Sequence, residues 1–214
     1  MPQDNDFLDG EGDNWLRRNK PSIDKKIEKR LDAPTHILDL YGLKPQKVLE
    51  VGCSNGFRLE YVRLKYGSEC VGVEPSEEAI TEAKQKYPSI RIERGIISEL
   101  PITDTYDLVI VNFVLHWVSR EELMKGISEI DRCIKKGGYR VLGDFLPAAS
   151  EAVEYKHKEN VKTFKQDYAQ LFISSGKYIQ IAKLTNSSQS LTRFVPVENH
   201  SDRVTTELLL KNSE

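Results

Sequence analysis

Two carboxylates and the turn between them hold most of the chemistry legible in this chain. Glu50 lies near the carboxyl end of the apolar run Lys47 to Val51, and Glu74 closes a second run, Cys70-Val71-Gly72-Val73. Gly52-Cys53-Ser54-Asn55-Gly56 follows the first run directly. Glycines at 52 and 56 permit a tight turn in backbone conformations that a Cβ would penalise. Strand, glycine turn and helix together let an α/β fold bring its backbone against a nucleotide at the helix N-terminus. Glu74 stands 22 residues after Gly52, close to the ~20 expected of an acid that grips ribose hydroxyls from the next strand tip. A carboxylate there accepts two charge-assisted hydrogen bonds from the cis-diol.

Glu50 decides which nucleotide fits. A carboxylate at that strand end would sit close to a bound diphosphate and repel it, which argues against NAD. In a G-x-G-x-x-G fingerprint starting at Gly52, the further glycines would fall at 54 and 57, and those positions hold Ser54 and Phe57. S-adenosylmethionine suits the site better, because it has an amino acid tail, a sulfonium and no phosphate. Glu50 is then expected to bond the methionine ammonium directly or through water, the alternative being a helix-cap or salt-bridge partner.

The elements that must position these groups follow from pattern. Residues 1 to 14 are acidic and glycine-rich and read as a loose arm, with a helical turn over Trp15 to Asn19. Ser22 reads as the N-cap of a helix carrying Ile23, Ile27 and Leu31, and Pro34 opens another short helix ending near Gly42. After the glycine turn, Phe57, Tyr61 and Leu64 mark a helix over Phe57 to Lys65. Pro75-Ser76 opens a helix with Ala79, Ile80 and Ala83 on its apolar side, and Ile90 to Ile92 is a short strand. Tyr106 to Leu115 is a near-continuous apolar run, the mark of a central parallel strand. Ser119 with Glu122 forms a capping box for a helix with Leu123, Ile127, Ile130 and Ile134, ended by Gly137-Gly138. Tyr139 to Phe145 is the fifth strand. His157 to Phe172 reads as helical, with Val161, Phe164, Tyr168 and Leu171 in register. Tyr178 to Leu184 and Val204 to Leu210 read as an antiparallel pair at the sheet edge.

The expected fold is therefore α/β: a Rossmann-like, doubly wound, mostly parallel seven-stranded sheet in a single domain. Residues 1–44 form an arm and helices on the cofactor-lid and substrate side. Residues 45–146 form the cofactor-binding core, and residues 147–214 add a substrate-side helix and C-terminal strands.

Composition narrows the partners. The chain has 214 residues and a net charge of −2, which gives no electrostatic case for nucleic acid or an anionic membrane. The basic clusters Arg17-Arg18-Lys20 and Lys25-Lys26-Lys29-Arg30 are interrupted by Asp24 and Glu28 and read as a solvated helix face. No apolar run approaches the ~20 residues of a spanning helix, and the N-terminus is no signal peptide. Cys53, Cys70 and Cys133 have neither metal nor disulfide spacing, so a cytoplasmic location and no metal site are expected. Nothing in the chain indicates an oligomeric state.

Taken in order, five motifs resemble the class I S-adenosylmethionine-dependent methyltransferases. They are Glu50 to Gly56, with Ser54 where the family usually has a glycine; Glu74-Pro75-Ser76; and Arg94-Gly95-Ile96-Ile97-Ser98-Glu99-Leu100-Pro101, where many members have an acid in the position of Ile96. Tyr106 to Val109 with Leu115-His116-Trp117-Val118, and Lys135 to Gly138, complete the set. More narrowly, Gly12 to Trp15 with Arg18-Asn19, and His157-Lys158-Glu159 with Asp167-Tyr168, resemble a bacterial branch associated with surface-polysaccharide gene clusters. The resemblance implies a cofactor pocket of Glu50, Gly52, Cys53, Ser54, Asn55, Gly56, Glu74, Pro75, Ile96, Ile97 and Asn112, with S-adenosylhomocysteine as product. Ile96 and Ile97 would pack on adenine, with Ser98 or Glu99 standing in for the missing acid, and Asn112 would line the methionine end.

His116 is the candidate general base, since it follows the central strand at the carboxyl edge and imidazole titrates near working pH. A packed core histidine beside Trp117 is its alternative. Trp15, Arg18, Tyr155, His157 and Tyr168 are the candidate substrate contacts. The chemistry implied is in-line displacement at the sulfonium methyl, driven mostly by alignment and exclusion of water. A small-molecule acceptor, such as a sugar or nucleotide-linked sugar, fits best. Asn112-Phe113-Val114-Leu115 lacks the Asn/Asp-Pro-Pro-aromatic platform of base-amino methylation of DNA. The competing readings are a non-catalytic adenosyl-nucleotide-binding regulatory module and an NAD(P)-dependent oxidoreductase.

Overall fold

Central strands buried at nearly every position carry a packed layer on each face of one sheet. The computed structural model describes residues 3–29, 32–188 and 202–213. Its elements are α1 (Gly12–Lys29), α2 (Ala33–Leu40), β1 (Lys47–Val51), α3 (Phe57–Tyr66), β2 (Glu69–Glu74), α4 (Glu77–Lys86), β3 (Arg91–Arg94) and β4 (Tyr106–Asn112). After these come α5 (Leu123–Arg132), β5 (Ile134–Phe145), β6 (Glu151–Glu154), β7 (Lys162–Lys165), α6 (Ala169–Ile173), β8 (Tyr178–Ser187) and β9 (Arg203–Lys211). Seven strands form one sheet in the order β3-β2-β1-β4-β5-β9-β8. The first five are parallel, and β9 runs antiparallel to both β5 and β8, with β8 at the edge. The fold is the single-domain, mostly parallel arrangement expected.

Period-two alternation sends Val48, Leu108 and Ile110 to one face, against Ile37 and Leu38 of α2 and Leu59 and Val62 of α3. Leu49, Val51, Val109 and Val111 go to the other, against Leu123, Ile127 and Ile130 of α5 and Phe172 of α6. Strands buried on both faces explain the continuous apolar runs.

Several local expectations are corrected. The N-terminal residues are not a loose arm: Gln3, Asp4 and Glu11 are buried, and Phe7–Glu11 forms a π-helical turn. Helix α1 then runs unbroken through Pro21, so Ser22 caps nothing. Packing of Leu16 and Ile23 with Ala79 carries the helix past the proline's missing donor. Leu31 lies outside the described residues. In α3 the inward face is Arg58, Leu59 and Val62, while Leu64 is 68% exposed; the buried ion pair made by Arg58 sets that rotation. Strand β3 begins at Arg91 and β4 stops at Asn112, because Phe113 turns the chain with φ +57°. Helix α5 starts at Leu123, with the Ser119 hydroxyl accepting the Glu122 N–H at 3.4 Å, and ends at Arg132. Ile134 and Gly137-Gly138 therefore belong to β5, where its pairing with β4 shifts register. Residues 157–172 are not one helix. They contain β7, paired antiparallel with β6, and the short α6. Val161 and Thr163 are buried about an exposed Lys162, a strand period that the wider spacing of Phe164, Tyr168 and Leu171 masked.

Candidate active site

The turn after β1 is built from left-handed backbone. Gly52, Ser54 and Gly56 have φ of +72°, +50° and +76°. At Gly52 a Cβ would lie 2.4 Å from Val114 Cγ2, so no side chain fits there. Ser54 adopts the conformation that a glycine would take without penalty. The N–H groups of Gly52 and Cys53 donate to Val73 O at 2.8 and 3.2 Å, which ties the turn to the end of β2.

That tie delivers Glu74. Its Oε2 accepts the Ser54 N–H at 2.7 Å and its Oε1 accepts the Ser76 N–H at 3.1 Å. Each oxygen keeps a further lone pair for a ligand hydroxyl. Burial pushes the Glu74 carboxyl up to about 7, with the two backbone donors pulling the other way. Ser76 caps α4 through the Ala79 N–H and donates its own hydroxyl to Asp13 of α1 at 2.6 Å.

Glu50 is fully buried, on the opposite face of β1 from Val51. Arg58, in the first turn of α3, contacts it directly and holds Asp32 in a fork at 2.7 and 2.8 Å. Asp32 in turn caps α2 through the Thr35 N–H. Burial raises Glu50 to about 7 even beside Arg58. Burial also opposes ionisation of Asp32, but Arg58 more than offsets this and holds that carboxyl below its ordinary range. The second oxygen of Glu50, Oε2, has no partner.

His116 sits in a 3-10 turn, Leu115–Trp117, and is 3% exposed. Its Nδ1 lies 2.9 Å from Asp144 Oδ1, off the angle of a formal hydrogen bond, and its backbone N–H donates to Asp144 Oδ2 at 3.3 Å. The rings of Trp117 and Phe145 lie 4.4 and 4.9 Å from the imidazole, centroid to centroid. Asn112 closes β4; its Oδ1 occupies the space that a Cβ at Gly143 would need.

A cavity of about 780 Å³ opens between these groups. Gly52, Cys53, Ser54, Glu74, Pro75, Ile96, Ile97, Asn112, His116 and Trp15 all reach its wall. Glu50, Asn55 and Gly56 stand behind it, Asn55 donating to Glu82 at 3.0 Å. The remaining candidates are turned elsewhere. Arg18 binds Glu11 and the Tyr155 hydroxyl, and His157 is exposed with its ring 5.2 Å from that of Tyr155. Tyr168 is buried, donating to Phe164 O at 2.6 Å and accepting from Arg120. Among the described residues no group of His, Cys, Asp and Glu could hold a metal ion, and the three cysteines are free and buried.

Sequence reasoning missed Arg58 with Asp32, and also Asp144. Arg58 carried a usable signal: a basic residue one position into the helix after the turn, where it can reach back to the strand. Asp144 had one too, as an acid among the small and apolar residues Val141 to Phe145 at the strand's end.

Residues 49–142 match the family model described as a methyltransferase domain. That match spans the glycine turn, Glu74, His116 and most of β5. Among curated proteins, a methyltransferase of uncharacterised role from Alkaliphilus oremlandii is 27% identical over 110 residues, covering 51% of this chain and 49% of that protein. The ubiquinone/menaquinone biosynthesis C-methyltransferase of Campylobacter jejuni is 26% identical, covering 54% and 52%. The chain spans about half the length of the curated relatives it matches. In fold, it is similar to the 1,6-didemethyltoxoflavin-N1-methyltransferase of Burkholderia thailandensis, solved with bound 1,6-didemethyltoxoflavin and S-adenosylhomocysteine. That likeness has a TM-score of 0.71 at 14% identity, over 99% of this chain and 92% of the other. An amino pentose methyltransferase of Micromonospora echinaspora, solved with S-adenosylmethionine, gives 0.62 at 12% identity over 85% and 91%. Residues 49–142 are thus similar to a methyltransferase domain, carried on a Rossmann-like fold that methyltransferases of known structure share. No helix among the described residues is long and apolar enough to cross a membrane.

Proposed function

We propose that this chain transfers the sulfonium methyl of S-adenosylmethionine to a small-molecule acceptor, leaving S-adenosylhomocysteine. The observation that carries the reading is Glu74: a buried carboxylate in the cavity wall, fixed by two backbone N–H groups beside a left-handed turn, with lone pairs to spare for a ribose diol. Glu50 stands behind the cavity wall and, through Arg58, ties β1 to the start of α3; in this reading its unpartnered oxygen meets the cofactor ammonium through a bridging water. Asn112 lines the same end, and Ile96 and Ile97 pack on the adenine.

For the acceptor, the finer reading is a sugar or nucleotide-linked sugar hydroxyl, in the bacterial branch associated with surface polysaccharides. The amino pentose acted on by one structural neighbour supports a sugar. The rings of Phe113, Trp117 and Phe145 around His116 offer flat apolar surface of the kind a sugar or ring packs on. His116 takes the hydroxyl proton as the oxygen attacks the methyl, and the Asp144 carboxylate beside Nδ1 balances the imidazolium that forms. Most of the acceleration comes from holding the oxygen at near-attack distance, ~3 Å from the methyl, in a cavity that excludes water.

Thermal unfolding with added ligand tests the cofactor assignment. S-adenosylhomocysteine in excess of its Kd raises Tm, because it binds the folded state alone, and NAD leaves Tm unchanged. A shift with NAD and none with S-adenosylhomocysteine overturns the proposal in favour of an oxidoreductase. Binding without labelled-methyl transfer to any acceptor in a pooled metabolite extract would favour the non-catalytic module.

A further inference from the structure

Asp4 is a buried carboxylate whose partners do not account for it. It is 4% exposed and forms part of the cavity wall, yet it makes no ion pair among the described residues. One oxygen, Oδ2, accepts the hydroxyl of Ser98, and the other, Oδ1, has no hydrogen-bond partner. A buried carboxyl oxygen left without a partner is costly unless a further donor arrives. The segment around it is fixed rather than loose. The neighbouring Gln3 amide donates to Trp117 O at 2.8 Å and to Lys162 O at 2.6 Å, and Arg94 donates to Leu8 O at 2.8 Å. The bond to Ser98 places Asp4 against the Ile96–Ser98 stretch, directly after β3.

Donor chemistry narrows what Oδ1 awaits. The cofactor of the proposed function carries three sets of hydrogen-bond donors: the ammonium, the ribose diol and the exocyclic amine of adenine. Glu74 takes the diol, and the ammonium belongs at the β1 and β4 tips near Glu50 and Asn112. Ile96 and Ile97 offer adenine packing but no acceptor side chain. We propose that Asp4 Oδ1 accepts the adenine 6-amino group, so that the N-terminal segment, and not the loop after β3, reads the base. The inference rests on the S-adenosylmethionine reading and deepens it: a carboxylate there makes the site selective for adenosyl over inosyl ligands.

The test compares S-adenosylhomocysteine with S-inosylhomocysteine, in which a carbonyl oxygen replaces the amine, by calorimetric titration. The wild-type chain is expected to prefer the adenosyl ligand by tenfold or more, because the carbonyl meets the carboxylate acceptor to acceptor. In Asp4→Ala that preference collapses to within about twofold, and Asp4→Asn, whose amide can accept from the amine or donate to the carbonyl, loses it likewise while keeping the side chain's size. Equal binding of the two ligands by the wild-type chain overturns the proposal without recourse to a variant, as does an Asp4→Ala protein that keeps the full preference. If S-adenosylhomocysteine does not bind the wild-type chain at all, the cofactor reading fails first, and that outcome is distinct from binding without discrimination.

Discussion

The two walls of the cavity are made in different ways. The wall beside β1 and β2 is polar and local: a five-residue turn in left-handed backbone, with Glu50 and Glu74 behind and beside it, all within 25 residues of sequence. The facing wall is aromatic and assembled from afar. Trp117 of the 3-10 turn packs on Phe7 at 5.3 Å and on Tyr155 at 4.3 Å, and His116 packs on Phe145 of β5. The contrast teaches that a fixed ligand can be gripped by backbone geometry encoded in one stretch. The aromatic wall, which we propose receives the acceptor, is instead put together from side chains contributed by several elements.

If the local wall depends on its buried ion network, Glu50→Ala should have the largest effect. It leaves Arg58 half-compensated, and breaking a buried pair costs about 3–5 kcal/mol; retention of Asp32 puts the loss near the lower figure. Chemical denaturation measures it. A loss below about 1 kcal/mol would mean that the turn stands without the network. Next in size, Glu74→Ala should weaken S-adenosylhomocysteine by about 1.5–3 kcal/mol, the scale of charged hydrogen bonds, with little change in the packing of the aromatic wall. Titration calorimetry reads the first and near-UV circular dichroism the second.

Protonation separates the walls further. Glu74 is raised to about 7 in the folded chain, above its ordinary 4.5, so the folded state holds a proton there that the unfolded state has released. Its contribution to stability is therefore full below about 4.5 and is lost as pH rises through 7. Glu50 acts in the same direction. On the proposed ribose contact, ligand affinity moves oppositely, because a diol donates best to the ionised carboxylate. Binding of S-adenosylhomocysteine should weaken by about tenfold from pH 8 to pH 6, and Glu74→Gln should flatten that dependence. A slope that survives in the Gln variant would assign the proton to another group. The smallest effect is expected at Ser54→Gly, which relieves a left-handed side chain and a buried unpartnered hydroxyl but loosens the unfolded chain. A net gain of no more than about 1 kcal/mol in a thermal melt would show how little the departure from glycine costs the turn.

Read from the chain alone, β1, the glycine turn, β2 and the order of motifs to Gly138 were legible because each is a local pattern. Two-fold alternation, a left-handed turn and an acid at a strand tip need only near neighbours. The N-terminal segment and residues 146 to 172 were not legible, since their conformation answers to distant partners. Gln3 bonds across to Trp117 and Lys162, Pro21 is carried through α1 by packing with Ala79, and β7 exists because β6 pairs with it.

What the sequence by itself determined is therefore the parallel sheet and the two acid-tipped strands flanking a glycine turn, because periodicity and backbone sterics act over a few residues. Tertiary structure alone decided that Glu50 pairs with Arg58, that Asp144 stands beside His116, and that Asp4 joins the cavity wall against Ser98. Each of these brings together groups from separate elements, and only burial in a shared interior makes their charges matter to one another.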